Sequence, residues 1–177
     1  MKINISAGRF GIFLLVISAV LGASLMTSCV GYRLGSSLPT SIKTVYIPAF
    51  INNTGEPMVE TEATKATIQE VQKDGSLEVA SQEYADSILT VTLTKVKFEP
   101  LSFQQNSRKT ANEYRLYIYA DVMFTRAKTN QILCKRQVYG EATFFPAGDI
   151  ASAKRLALPN VAKDLAHRIV EAVVEYW

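Results

Sequence analysis

From Tyr114 to Arg126 the chain alternates without interruption. Tyr114, Leu116, Ile118, Ala120, Val122 and Phe124 fall on one side, and Arg115, Tyr117, Tyr119, Asp121, Met123 and Thr125 on the other. Successive side chains of a strand point to opposite faces, so this run reads as one long strand with a core face and a mixed polar and aromatic face. Lys128-Thr129-Asn130 then makes a tight connection into Ile132 to Phe144, a hairpin partner of similar length. A strand this long with one strongly apolar face needs a sheet around it and a second layer to cover it.

The rest of the chain supplies both. Thr44 to Phe50 is a β-branched and aromatic run whose Pro48 marks an edge or a bulge. Turn formers from Ile51 to Pro57 lead into Met58 to Lys73, where Val59, Ala63, Ala66 and Val71 recur near helical spacing. Asp74-Gly75 ends that helix, and Ser76 to Ala80 is a short strand. In Ile88 to Phe98 the apolar side chains Leu89, Val91 and Leu93 change parity at Val96 and Phe98, which predicts a bulge near Lys95 or a strand buried on both faces at its end. Glu99 to Asn112 is read as a loop. From Ala151 the period becomes helical, with Val161, Leu165, Ile169 and Val173 on one stripe, and Pro159 predicts a kink after a short first helix. The expected class is α+β: a mainly antiparallel sheet of four to five strands with two helices on one face, in the order β-α-β-β-β-β-α.

The N-terminal residues set this domain in a context. Met1 to Arg9 is polar and basic, Phe10 to Met26 is apolar, and Leu25-Met26-Thr27-Ser28-Cys29 follows. That layout is an export signal ending in a segment that resembles the lipobox of bacterial lipoproteins. The resemblance implies that Cys29 is acylated and becomes the mature N-terminus. The expected divisions are a signal peptide over 1–28, a lipidated N-terminus and tether over 29–42, and a single α+β domain over 43–177. An uncleaved membrane anchor is the alternative, since no charge intervenes from Phe10 to Tyr32. Val30 after the cysteine, in place of Asp, is compatible with outer-membrane sorting.

Composition then removes several classes of function. Setting Lys2 and Arg9 apart from the 19 basic residues leaves 17 against 16 acidic ones, so the domain lacks the concentrated basic surface that nucleic acid requires. The chain has no phosphate-binding glycine loop, no GxSxG, no HExxH and no cysteine pair at metal spacing. His167 is the sole histidine and reads as a boundary or surface residue. Cys134, set in an alternating strand, reads as a small packing residue. The pairs Glu60 with Glu62 and Glu70 with Asp74 suit helix solvation. Binding without turnover is the expectation, with no catalytic residue, cofactor or metal.

A family resemblance runs along the mature chain. Cys29, Gly31-Tyr32-Arg33-Leu34-Gly35, Ser37-Leu38-Pro39 and Ile42-Lys43-Thr44-Val45-Tyr46-Ile47-Pro48-Ala49-Phe50 resemble the opening of the LptE family of lipopolysaccharide-assembly lipoproteins. Asn53-Thr54, Glu56-Pro57, Asp74-Gly75, Leu77-Glu78-Val79, Ala85-Asp86 and the closing Ala162 to Val170 continue it, with Val30 as an inserted residue. The resemblance implies an outer-membrane lipoprotein on the periplasmic side. It would plug a large β-barrel translocon of the LptD type and assist delivery of lipopolysaccharide to the cell surface. The second sheet face, with Arg115, Tyr117, Tyr119 and Lys135, suits contact with a wet polar lumen. Arg108, Lys109 and Lys128 are candidate contacts for lipid phosphates.

The opening strand and turn are also similar to periplasmic lipoproteins that activate cell-wall synthases. The link from Cys29 to the first strand, however, reaches at most about 50 Å, which favours a partner in the membrane. A carrier with its own lipid cavity is disfavoured because one sheet face and two helix stripes consume the apolar residues. Lipidation is directly testable: the Cys29→Ser protein should lose its membrane fraction or stay unprocessed, and wild-type cleavage with detergent-dependent membrane association in that variant would refute it.

Overall fold

The architecture is that of a computed structural model, which describes residues 38–104, 107–146 and 149–175. Its strands are β1 (Thr44–Tyr46), β2 (Ile51–Asn52), β3 (Glu78–Val79), β4 (Ser87–Gln104), β5 (Ser107–Arg126) and β6 (Ile132–Phe144), and its helices are α1 (Val59–Asp74) and α2 (Ile150–Val174). One sheet runs in the order β3-β1-β4-β5-β6, with β2 beside β4 further along the β1 edge. The α+β class stands as the sequence indicates, and the element order departs from it only in that two strands precede α1, which makes six strands where four to five were expected. The sheet is mixed, because β1 pairs in parallel with both β3 and β4 and β2 pairs in parallel with β4, while the long β4-β5-β6 ladders are antiparallel. The parallel part follows from α1, which returns the chain in the same direction between β1 and β3.

Three further expectations are corrected. The opening strand is split into β1 and β2 around Pro48, which has no N–H for a continuous ladder. Most of the loop expected over Glu99 to Asn112 is strand: β4 continues to Gln104 and β5 starts at Ser107, with register shifts beside Pro100 that absorb the proline. Arg108 and Lys109 therefore lie on strand β5. Helix α2 is continuous through Pro159. Pro159 is exposed, so the Arg155 carbonyl it leaves without an N–H donor faces water.

The core forms where the alternation places it. Leu116, Ile118, Ala120, Val122 and Phe124 of β5 are buried together with Leu89, Val91 and Leu93 of β4. The register then slips between Leu93 and Lys95, so that Val96 faces Ile118 and Phe98 faces Leu116. This is the bulge that the parity change predicted. Over that face α2 lays Val161, Leu165, Ile169 and Val173, and α1 contributes Val59, Ala63 and Val71. The fit is closest at Gly140 of β6, where an added Cβ would sit 2.4 Å from the Leu165 backbone nitrogen. Cys134 is buried nearby and its thiol donates to the Ala172 carbonyl at 3.4 Å, the packing role expected of it.

Polar clasps close the two ends of α1. Before it, the Asn52 amide donates to Glu60 Oε2 at 2.7 Å and to the Glu56 carbonyl at 2.8 Å, and Lys154 of α2 pairs with Glu56 at 2.6 Å. After it, Gly75 takes φ 75 and its N–H caps Val71 at 3.1 Å. Between the helices, the buried Glu70 accepts from Lys73 at 3.1 Å and lies 3.3 Å from Nδ1 of the exposed His167. Burial pushes the Glu70 carboxyl up, but its hydrogen bonds with Lys73 and His167 hold it below the usual glutamate range. A third clasp sits at the start of the sheet: Asp86 Oδ2 accepts from Lys43 N at 3.1 Å, Thr44 N at 3.2 Å and the Thr44 hydroxyl at 3.0 Å.

Two outcomes follow. Ile118 is fully buried, so Ile118→Asp should destabilise the domain by about 4 kcal/mol or more, whereas Tyr119→Asp on the opposite face should cost far less; equal losses in melting temperature would show the faces to be misassigned. The Lys43 N–H bond, with those of Thr44, holds the Asp86 carboxyl below the ordinary aspartate value. A lowered native pKa contributes stability that is full above about pH 4 and lost as the pH falls through the native value. Asp86→Asn should therefore cost about 1 kcal/mol at neutral pH, and its urea midpoint should fall less steeply than wild type below pH 4.

Candidate outer-face aromatic surface

Because α1 and α2 cover one side of the sheet, the polar and aromatic rows of β4, β5 and β6 remain on the other. Tyr117 and Tyr119 project there from β5, and Tyr139 of β6 stands directly opposite Tyr119. The three rings form a triangle with centroids 6.2, 6.1 and 5.8 Å apart. Tyr139 is 49% exposed. Such separations lie within the range of favourable ring contacts, and each phenol keeps a polar end for water or a partner.

Charged pairs frame the rings. Lys97, opposite Tyr117, pairs with Glu99. Arg115 Nη1 lies 3.6 Å from Glu141 Oε1. A hydrogen bond to Tyr117, and then the Glu141 charge, raise the Arg115 guanidinium above its ordinary value; Glu99 does the same for the Lys97 ammonium. Gln137 donates to Asp121 at 2.9 Å on the same face. Exposed pairs of this kind orient side chains more than they stabilise the fold. The arrangement presents aromatic rings and hydroxyls inside a ring of mixed charge.

Of the residues singled out from sequence, Arg115, Tyr117, Tyr119 and Lys135 share this face. Lys135 stands opposite Met123 and is separated from Tyr139 by Gln137 along its row. The three candidate lipid contacts do not meet. Lys128 is exposed in the turn after β5, where its charge reaches Asp86, whereas Arg108 and Lys109 lie near the other end of the 20-residue β5. At about 3.3 Å per residue the two ends are on the order of 60 Å apart, so one lipid headgroup does not span them. Cys29 lies outside the described residues.

Tyr139 and Glu141 complete the surface and were not singled out from sequence. Arg126 N donates to the Gln131 carbonyl, and counting outward from that pair sets Tyr119 against Val138. The register shift between Phe124 and Thr125 adds one residue, Leu133, and moves Tyr139 into place. Among the described residues, no group of three or more His, Cys, Asp or Glu side chains is placed to hold a metal ion. No helix among them is long and apolar enough to cross a membrane.

The stretch from residue 42 to 173 matches the family LptE, described as lipopolysaccharide-assembly. The chain belongs to the LptE family. No curated protein matches its sequence. Among solved structures, the hypothetical protein CT253 from Chlamydia trachomatis is similar with a TM-score of 0.50 at 9% identity, over 75% of this chain and 98% of that one. Protein XCC0632 from Xanthomonas campestris gives 0.50 at 9% identity, over 78% and 86%. Uncharacterized lipoprotein B from Nitrosomonas europaea gives 0.49 at 17% identity, over 81% and 88%. At these identities the first two speak for the fold alone. For this LptE-family chain, the match spans the whole sheet that carries the tyrosine surface and nearly all of α2.

Proposed function

We propose that this protein is an outer-membrane lipoprotein, anchored through Cys29, that serves as the plug and assembly partner of an LptD-type β-barrel inserting lipopolysaccharide at the cell surface. The observation that carries this reading is membership of the lipopolysaccharide-assembly family over residues 42–173. The outer sheet face supports it: the ring of Tyr117, Tyr119 and Tyr139 framed by Lys97-Glu99 and Arg115-Glu141 is amphipathic, as a partner in a wet lumen requires. The protein acts by binding, without turnover. Lys128 at one end of β5 and Arg108 with Lys109 at the other serve as separate contacts for lipid phosphates, each a guanidinium or ammonium suited to charge-assisted bonds.

In its native membrane the protein should copurify after crosslinking with a large β-barrel as a stoichiometric complex. Photo-crosslinkers at Tyr117 and Tyr119 should label the barrel wall or lipid, and depletion should impair surface display of lipopolysaccharide before peptidoglycan synthesis. A cell-wall synthase in place of the barrel would transfer the assignment to the regulatory reading, and a partner-free monomer in intact cells would end both.

A further inference from the structure

Strand β6 closes one side of the sheet: β5 pairs with it along one edge, and among the described residues no strand pairs with the other. Helix α2 deals with part of that edge. The Glu141 N–H turns away from β5 and donates to Asp164 Oδ2 of α2 at 2.9 Å. In an antiparallel ladder both main-chain groups of alternate residues point the same way, so the N–H and C=O of Lys135, Gln137 and Tyr139 share the outward direction of Glu141. Four residues beyond Asp164, on the same side of the helix, Arg168 takes its place over the edge, followed by Glu171. Arg136, Gln137, Val138 and Tyr139 with Arg168 and Glu171 line an open groove of about 240 Å³.

We propose that the edge of β6 from Lys135 to Tyr139 is a strand-addition site for an extended acidic segment of a partner polypeptide. Main-chain bonds to the three outward pairs supply the pairing, and alternate side chains of the added strand meet the α2 row on one side and the Lys135-Tyr139 row on the other. The charge selects the occupant. Lys135 and Arg168 are exposed around this stretch, with Glu171 as the acidic residue lining the groove. Two copies joined edge to edge would bring both sets of cations together, which like-charge repulsion opposes. An acidic strand relieves it. The site adjoins the tyrosine triangle at Tyr139 and does not depend on which protein the partner is.

The test uses the full-length, isotope-labelled chain in detergent micelles and two ten-residue probes, one alternating glutamate with valine and one alternating lysine with valine. The glutamate peptide should slow amide exchange at Lys135, Gln137 and Tyr139 at least tenfold, and the lysine peptide should not. Gln137→Pro removes an outward N–H from an edge strand without touching the β5 ladder, so it should melt within a few degrees of wild type and lose the protection. The double variant Lys135→Glu, Arg168→Glu should exchange the preference between the two peptides. Equal protection by both probes, none by either, or protection that survives Gln137→Pro would overturn the proposal. Concentration-dependent protection of the same amides without peptide would also overturn it, by assigning the edge to a second copy.

Discussion

The contact between α2 and β6 at Gly140 is the constraint on which the remaining structure depends. Without a side chain there, the helix backbone comes down until Leu165 occupies the space a Cβ would need. That depth lets one stripe of α2 reach β5 as well as β6, and it brings Asp164 within hydrogen-bonding distance of the Glu141 N–H and the Ala172 carbonyl within reach of Cys134. Protein interiors are packed as densely as crystals, so a helix seated this close has one position along the strand. The register of α2 on the sheet, and with it the pairing of His167 with Glu70 on α1, follows from that seat.

Placing both helices on one side has a consequence for the other. Among the described residues no layer covers the outer rows of β4, β5 and β6, and single-residue bulges decide which side chains appear there. The extra residue Thr94 in β4 turns Val96 inward and sets Lys95 opposite Tyr119, while the extra residue Leu133 in β6 turns Cys134 inward and sets Tyr139 beside Tyr119. A slip of one residue moves every later side chain to the opposite face, so Tyr139 joins Tyr117 and Tyr119 because the β6 bulge exists.

The same sheet therefore carries two kinds of exposed surface. One is the broad face of rings and ion pairs, where apolar ring bodies carry polar ends. The other is the edge of β6, capped by α2 at Glu141 and, among the described residues, paired with no strand beyond it. Structures with the same fold at 9% identity show that such a frame persists while nearly all of its side chains change. What distinguishes one member from another has to be read in the residues on these surfaces.

Periodicity by itself determined the class, the two helices, the inward rows of β4 and β5, and the parity change that marks the β4 bulge, because burial imposes a period on each element separately. The Asp74-Gly75 stop was legible for the same local reason: Gly75 adopts the positive φ that ends α1. Pro159 was misleading, and the loop expected over Glu99 to Asn112 missed a strand that runs through Pro100. Proline breaks an isolated strand or helix, yet a bulged ladder and a helix packed along its whole length each absorb one. Tertiary structure alone decided the parallel pairing of β1, since no local period records which neighbour a strand chooses. It alone joined Asp86 to Lys43 and Thr44, set Tyr139 beside Tyr119, and sent Lys128 to the opposite end of β5 from Arg108 and Lys109, because each is a relation between segments that only the closed sheet brings into register or holds apart.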